Sequence, residues 1–161
     1  MLYHRKAKHS PIKFISMSDK LNTLKEPWYK NGVRFKCTGC GKCCTGEGIV
    51  SLTMDEAIKM ALFLKIDLKK FFTLYIKKQN GKYILKDSPG TKACIFLEGT
   101  KCKVYPCRPK QCKTFPYWPS VMRTKNDWDN TGKSCEGIDH PEAKLVSTQT
   151  IEENLSKMDD H

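Results

Sequence analysis

Nine cysteines in 161 residues are the side chains best placed to do chemistry. They run Cys37-x2-Cys40-x2-Cys43-Cys44, then Cys94-x7-Cys102-x4-Cys107-x4-Cys112, then Cys135. Two thiolates three residues apart on a tight turn can converge on one metal ion at about 2.3 Å each. Gly39 and Gly41 supply the backbone freedom such a turn needs. Lys36 and Lys42 flank the cluster, where positive charge would favour ionised thiolates. Free cysteines also pack as small hydrophobes, but chance rarely places four of them within eight residues.

Cys43 and Cys44 constrain the geometry further. In extended backbone, adjacent side chains point to opposite faces. The expectation is therefore that they serve different sites, with Cys37, Cys40 and Cys43 in one and Cys44 in another with downstream thiols. A competing reading makes Cys37, Cys40 and Cys43 three corners of an iron–sulfur cluster. Both fit the spacing.

Composition favours metal over disulfides. Nine cysteines in 161 residues, about 5.6%, fall below the density of roughly 8–10% that marks short disulfide scaffolds. The basic start, Met1 to His9, is followed by no apolar h-region or small-residue cleavage site, so a cytoplasmic, reducing location is expected. The longest apolar stretch, Met60 to Leu64, is far short of the roughly 20 residues a bilayer requires, and no membrane association is expected. The hydrophobic fraction is 39%, and the ten glycines bring it to about 45%, the low edge of the globular range. A core this thin invites an added staple.

Charge is unevenly spread. The 29 Lys and Arg against 17 Asp and Glu give +12. Residues 1–36 carry nine positive and two negative side chains, residues 37–135 carry 18 and eight, and residues 136–161 carry two and seven. A partly flexible basic arm is expected over residues 1–27, a metal-binding domain over 28–138 and a helical extension over 139–161. The extension rests on Ile151, Leu155 and Met158 at helical spacing. No internal repeat or low-complexity segment occurs.

The elements that must position the thiols follow from local signals. Val33 to Phe35 leads into the first cluster as a short extended piece, and Ile49 to Leu52 has the pattern of a strand. Thr53 and Glu56 fit a capping box. A helix from about 54 to 65 follows, with Ala57, Ile58, Ala61, Leu62 and Leu64 on one face. Asp67 can cap a second short helix through Phe72. Thr73 to Lys78 and Lys82 to Lys86 flank Gln79-Asn80-Gly81, a strong hairpin signal. Ala93 to Leu97 and Lys101 to Tyr105 flank a turn at Gly99, giving a second hairpin. Pro109 stands where the first turn of a short helix through Cys112 would place it. The fold class is α+β, one small domain of short helices and hairpins stapled by cysteine-ligated metal sites.

Four ordered blocks carry a family resemblance. They are Phe35 to Cys44, Cys94 to Leu97, Cys102 to Tyr105 with Arg108 to Pro116, and Cys135 to Ile138. Together they span about residues 28–138 and resemble the YkgJ family of cysteine-cluster proteins, whose CxxCxxCC domain implies chelation of zinc or iron. The resemblance picks out Cys37, Cys40, Cys43, Cys44, Cys94, Cys102, Cys112 and Cys135 as metal ligands. Eight thiols are enough for two tetrathiolate sites. Cys107, at a variable place in the pattern, is the spare thiol. Eight thiolates and two divalent cations together add four negative charges, so the +12 chain would carry about +8 when loaded.

Other functions are weighed against this one. An iron–sulfur enzyme or electron carrier is one alternative, and the flagellin lysine methylases are similar in the cysteine cluster, which implies methyl transfer. No glycine motif for a cofactor occurs, nor any GxxxxGK[ST], GxSxG or HExxH pattern. His4, His9, His140 and His161 lie at or near the ends and are expected to be solvated. Tyr105, Arg108, Phe115, Tyr117 and Trp118, with Lys101, Lys103, Lys110 and Lys113, could grip nucleic acid by phosphate contact and base stacking. The structural alternative has the aromatics covering the cluster and Arg108 stacking on one of them or bonding a backbone carbonyl.

Overall fold

The computed structural model describes residues 26–158. The basic arm expected over residues 1–27 lies outside the described residues except for Glu26 and Pro27.

Helix α1, Met54–Phe63, starts as its capping box requires. The Glu56 N–H donates to Thr53 Oγ1 at 3.3 Å, and Glu56 Oε2 accepts from the Thr53 N–H at 2.9 Å. Its buried residues are Ala57, Met60 and Ala61, while Ile58 is 38% and Leu62 71% exposed. The buried face is thus turned by about half a side-chain position from the expected one, which included Ile58 and Leu62. The unbranched, adaptable Met60 side chain fills the core instead. Helix α2, Leu68–Tyr75, is capped by Asp67, which accepts from the Lys70 N–H at 2.8 Å. It runs past the expected end at Phe72 because Tyr75, one turn beyond Phe71, packs against Phe96 with centroids 4.6 Å apart and the rings tilted by 37°. The expected strand therefore begins three residues late, at Ile76.

Strands β1, Val33–Arg34, and β2, Ser51–Leu52, are short. Strands β3, Ile76–Gln79, and β4, Lys82–Leu85, form the expected hairpin. Asn80 and Gly81 both take positive φ, 50° and 78°, as a type I′ turn demands. β2 pairs antiparallel with β4, giving the order β2-β4-β3. The second hairpin is shorter than expected: β5, Leu97–Glu98, pairs with β6, Lys101–Cys102. Tyr105–Cys107 forms a 3₁₀ turn, and Pro109 precedes the expected short helix α3, Lys110–Thr114.

Two helices have no counterpart in the sequence reading: α4, Pro119–Met122, and α5, Lys125–Gly132. α5 carries Trp128 as its only large apolar residue and so has no hydrophobic period, though Thr124 caps it by accepting from the Asp127 N–H at 3.1 Å. The chain closes with β7, Leu145–Val146, antiparallel to β1, and α6, Thr148–Ser156, capped by Ser147.

These elements make one small α+β domain with two cores. In the first, α1 and α2 pack over Leu52, Leu85, Phe96 and Val104. In the second, fully buried Trp128 and Ile151 meet Tyr29, Val33, Tyr117 and Met122. The Trp28 indole N–H donates to the Met122 carbonyl at 2.7 Å, and the Tyr29 hydroxyl donates to Glu152 at 2.6 Å. Helix α3 ties the cores together. The Gln111 side chain accepts from the Ser51 N–H at 3.0 Å and donates to the Ile49 carbonyl at 2.9 Å, while its backbone carbonyl accepts from the Trp118 indole at 2.9 Å.

Two predictions follow from the second core. Ile151→Ala should cost about 2–4 kcal/mol, seen as a lower urea midpoint with an unchanged slope. Burial, together with the bond to Glu152, pushes the Tyr29 hydroxyl up to about 12, and burial does the same for Tyr117. Because the folded state favours the neutral phenol, this stability is present below pH 10 and lost as pH rises through about 12. An ultraviolet phenolate titration should therefore show a late component near pH 12 that shrinks in Tyr29→Phe.

Candidate metal centre

The first cysteine block is a loop held at both ends. At its start the Lys36 N–H donates to the Gly137 carbonyl at 3.0 Å and Phe35 bridges Ile138, so the loop begins beside Cys135. Gly137 permits this approach, since a Cβ there would lie 2.5 Å from the Lys36 carbonyl oxygen. At its end the Cys94 N–H donates to the Cys44 carbonyl at 2.8 Å, tying the loop to the first core. Gly41 has φ 74° and presses on the β5–β6 turn, where a Cβ would meet the Thr100 carbonyl oxygen at 2.7 Å. The turn thus requires glycine for both its φ and its space.

Lys42–Cys44 form a 3₁₀ turn closed by the Cys44 N–H on the Gly41 carbonyl, at 2.9 Å. The extended backbone assumed for Cys43 and Cys44 is therefore corrected. A 3₁₀ turn sets successive side chains about 120° apart rather than opposite. Their sulfurs lie 3.9 Å from each other. Four sulfurs each 2.3 Å from a tetrahedral ion would stand about 3.8 Å apart, a spacing close to that of this pair.

Three later elements bring further thiols to this loop. Cys94 accepts at its carbonyl from the Leu97 N–H at 2.9 Å, and Leu97 pairs with Cys102 across the β5–β6 hairpin. Cys112 sits in α3, beside the Gln111 that fastens that helix to β2. Cys135 follows α5, its N–H donating to the Thr131 carbonyl at 2.9 Å. Cys107 packs against the first core and points its thiol at the Val104 carbonyl, 3.5 Å away. Cys37 and Cys43 are exposed and the other seven half-buried, and all nine are free thiols. Among the described residues no three Cys, His, Asp or Glu side chains converge at ligand spacing.

Electrostatics shows which thiols share a neighbourhood. Cys43 is held down to about 7, chiefly by a hydrogen bond from Cys44 and also by the Arg108 charge, whereas Cys44, the donor, is pushed up. The charges of Cys43, Cys94 and Cys102 raise Cys44 further. Burial pushes Cys112 up to about 12, with the charges of Cys94, Cys102 and Cys43 adding to it. Cys94, Cys102, Cys107 and Cys135 are likewise raised, first by burial. Cys135 also feels Cys40 and Cys43. Cys43, Cys44, Cys94, Cys102 and Cys112 thus influence one another's ionisation, and Cys40 and Cys43 act on Cys135.

The cations nearest in sequence are not the ones that serve these thiols. Lys36 pairs with Glu142 at 2.5 Å and Lys42 with Glu136 at 3.8 Å. The Arg108 charge helps to hold Cys43 down, whereas burial outweighs it at Cys102 and Cys112, which stay raised. Arg108 both stacks, 3.9 Å above the Tyr105 ring, and donates to the Tyr105 carbonyl at 2.7 Å. The other aromatics of this block face inward: Phe115 meets Trp118 at 5.1 Å and Phe35 at 6.1 Å, and Tyr117 is buried. Gln111 and Trp128 organise this region without any sequence motif to announce them.

A set of thiols alone suits zinc or iron better than magnesium or calcium, which take oxygen ligands. His140 accepts from the Glu142 N–H at 3.2 Å, while His4, His9 and His161 lie outside the described residues. Among the described residues no helix is long and apolar enough to cross a membrane.

Residues 36–136 match the CxxCxxCC family, described as a "putative zinc- or iron-chelating domain". An uncharacterized protein of Methanocaldococcus jannaschii is 36% identical over 110 residues, 66% of this chain. The chain spans 57% of that relative's length. No solved structure matches the chain. With residues 36–136 matched, the protein belongs to the CxxCxxCC family.

Proposed function

We propose that the gathered thiols bind zinc or iron and that the bound metal locks the two cores onto the first cysteine loop. The observation that carries this reading is the 3.9 Å separation of the Cys43 and Cys44 sulfurs, on a loop to which Cys94 is tied by its N–H on the Cys44 carbonyl at 2.8 Å. Cys43 and Cys44 form one edge of the principal centre, and two of Cys94, Cys102 and Cys112 supply its remaining corners. Cys37, Cys40 and Cys135 form a second set on the side of the other core. Cys107, turned to a carbonyl, is left as the spare thiol. When bound, the metal supplies folding energy and, if it is iron, redox capacity. The residues themselves hold the ion, exclude part of the solvent and release protons as it binds.

Anaerobic purification with elemental analysis tests this reading and separates the metals. Stoichiometric zinc in a colourless protein identifies closed thiolate sites, and a brown protein that bleaches on reduction identifies an iron–sulfur centre. A protein purified without either metal, and taking up neither on addition, refutes the proposal. Cys94→Ser should lose metal and lower the melting temperature by about 10 °C or more, whereas Cys107→Ser should keep wild-type metal content.

Proton release gives an independent prediction. Burial raises the Cys94, Cys102 and Cys112 thiols of the metal-free protein, so these stay protonated at pH 7 and must ionise to bind. Adding zinc to weakly buffered protein should acidify the solution, and apparent affinity should rise steadily with pH between about 6 and 9.

A further inference from the structure

Helix α1 has two apolar faces. One, carrying Ala57, Met60 and Ala61, is buried in the first core. The other carries Met54, Ile58 and Leu62, spaced i, i+4 and i+8, as one stripe along the outside. These side chains are 41%, 38% and 71% exposed, so no element among the described residues closes over the stripe. Contiguous apolar surface of this kind marks a docking face.

The charges beside the stripe decide what fits it. At 3.6 residues per turn, Asp55 and Lys59 lie about 60° and 100° round the helix from the centre of the stripe, both along the same edge. Both are exposed. Their spacing would let them pair with each other, yet among the described residues neither has an ion-pair partner. The edge therefore offers an acid near the start of the helix and a base one turn further on.

That pattern is self-complementary. Let two copies of α1 meet antiparallel about a two-fold axis at Ile58. Met54 of each copy then lies level with Leu62 of the other, and Ile58 meets its own twin. The two-fold axis also brings the charged edges together. Asp55 lies level with residue 61 of the second copy, and Lys59 of that copy is only two residues, about 3 Å, along the axis from there. Two symmetric Asp55–Lys59 pairs result, a contact in which the same patch serves both copies. The start of each helix also lies beside the end of the other, the favourable arrangement of their dipoles.

We propose that the outer face of α1 is a dimerisation surface, on which a second copy of this chain docks antiparallel. The face is one short helix wide, so the dimer is a weak, concentration-dependent one. The inference is independent of the metal-binding reading, since α1 carries no cysteine.

The test is sedimentation velocity of the full-length protein from low micromolar to near-millimolar concentration, anaerobically and with reductant so that no intermolecular disulfide forms. Wild type should pass from monomer to dimer across this range. Ile58→Glu sets two carboxylates against each other on the axis and should stay monomeric throughout. Circular dichroism checks that each variant is folded. If Ile58→Glu is not, Leu62→Glu, at the more exposed position, takes its place with the same expected result. Asp55→Lys and Lys59→Asp each oppose like charges and should weaken association several-fold, less so at high salt. The double variant Asp55→Lys/Lys59→Asp restores opposite charges and should return association close to wild type. A wild type that stays monomeric at every concentration overturns the inference and leaves the face to a different partner. A dimer that survives the Glu substitution overturns it as well, as does a double variant that associates no better than either single one.

Discussion

The fold depends on one loop that two cores share. Neither core is large, and among the described residues the ends of the loop are fastened by one backbone hydrogen bond each, Lys36 to Gly137 on one side and Cys94 to Cys44 on the other. Between those bonds lie four thiols and two glycines with positive φ. A hydrogen bond at a partly exposed site contributes only about 1 kcal/mol. The loop is therefore well positioned but weakly fastened, and thiolate–metal bonds would add the strength that the backbone contacts lack.

Much of the first core was legible because its signals are local. The Thr53 and Glu56 cap, the Asn80-Gly81 turn and Pro109 ahead of α3 each depend on a few adjacent residues, and each appears in the structure. The errors lie where distant packing overrides local pattern. Periodicity put Ile58 and Leu62 inward, but the space opposite α1 was filled by Met60. The strand pattern at Thr73 to Tyr75 lost to the packing of Tyr75 against Phe96, a residue 21 positions away. Helix α5 was invisible because a single tryptophan provides its buried face.

The site was legible in its residue types but not in its shape. Spacing alone identified the cysteines, yet the relation between Cys43 and Cys44 depended on a 3₁₀ turn that no pattern of side chains announces. Nor could residue order show that Lys36 and Lys42 are taken up by carboxylates from the acidic C-terminal segment, residues 136–161. The uneven charge seen along the chain thus has a local meaning. Acidic residues after Cys135 neutralise the lysines of the first block, so electrostatics at the thiols differs from what net charge implies.

Gly41 carries an evolutionary consequence. Its α-carbon rests against the turn at Thr100, so any bulk gained at position 41 would have to be answered by withdrawal of the hairpin that carries Cys102. Replacements at 41 and length changes at residues 99–100 are thereby coupled, and drift at either is restrained by the other. The Asn80-Gly81 turn has no such neighbour, with open space around Gly81. Insertions and variation among descendants of this chain should accumulate at that distant tip and spare the short turn beneath the cysteine loop.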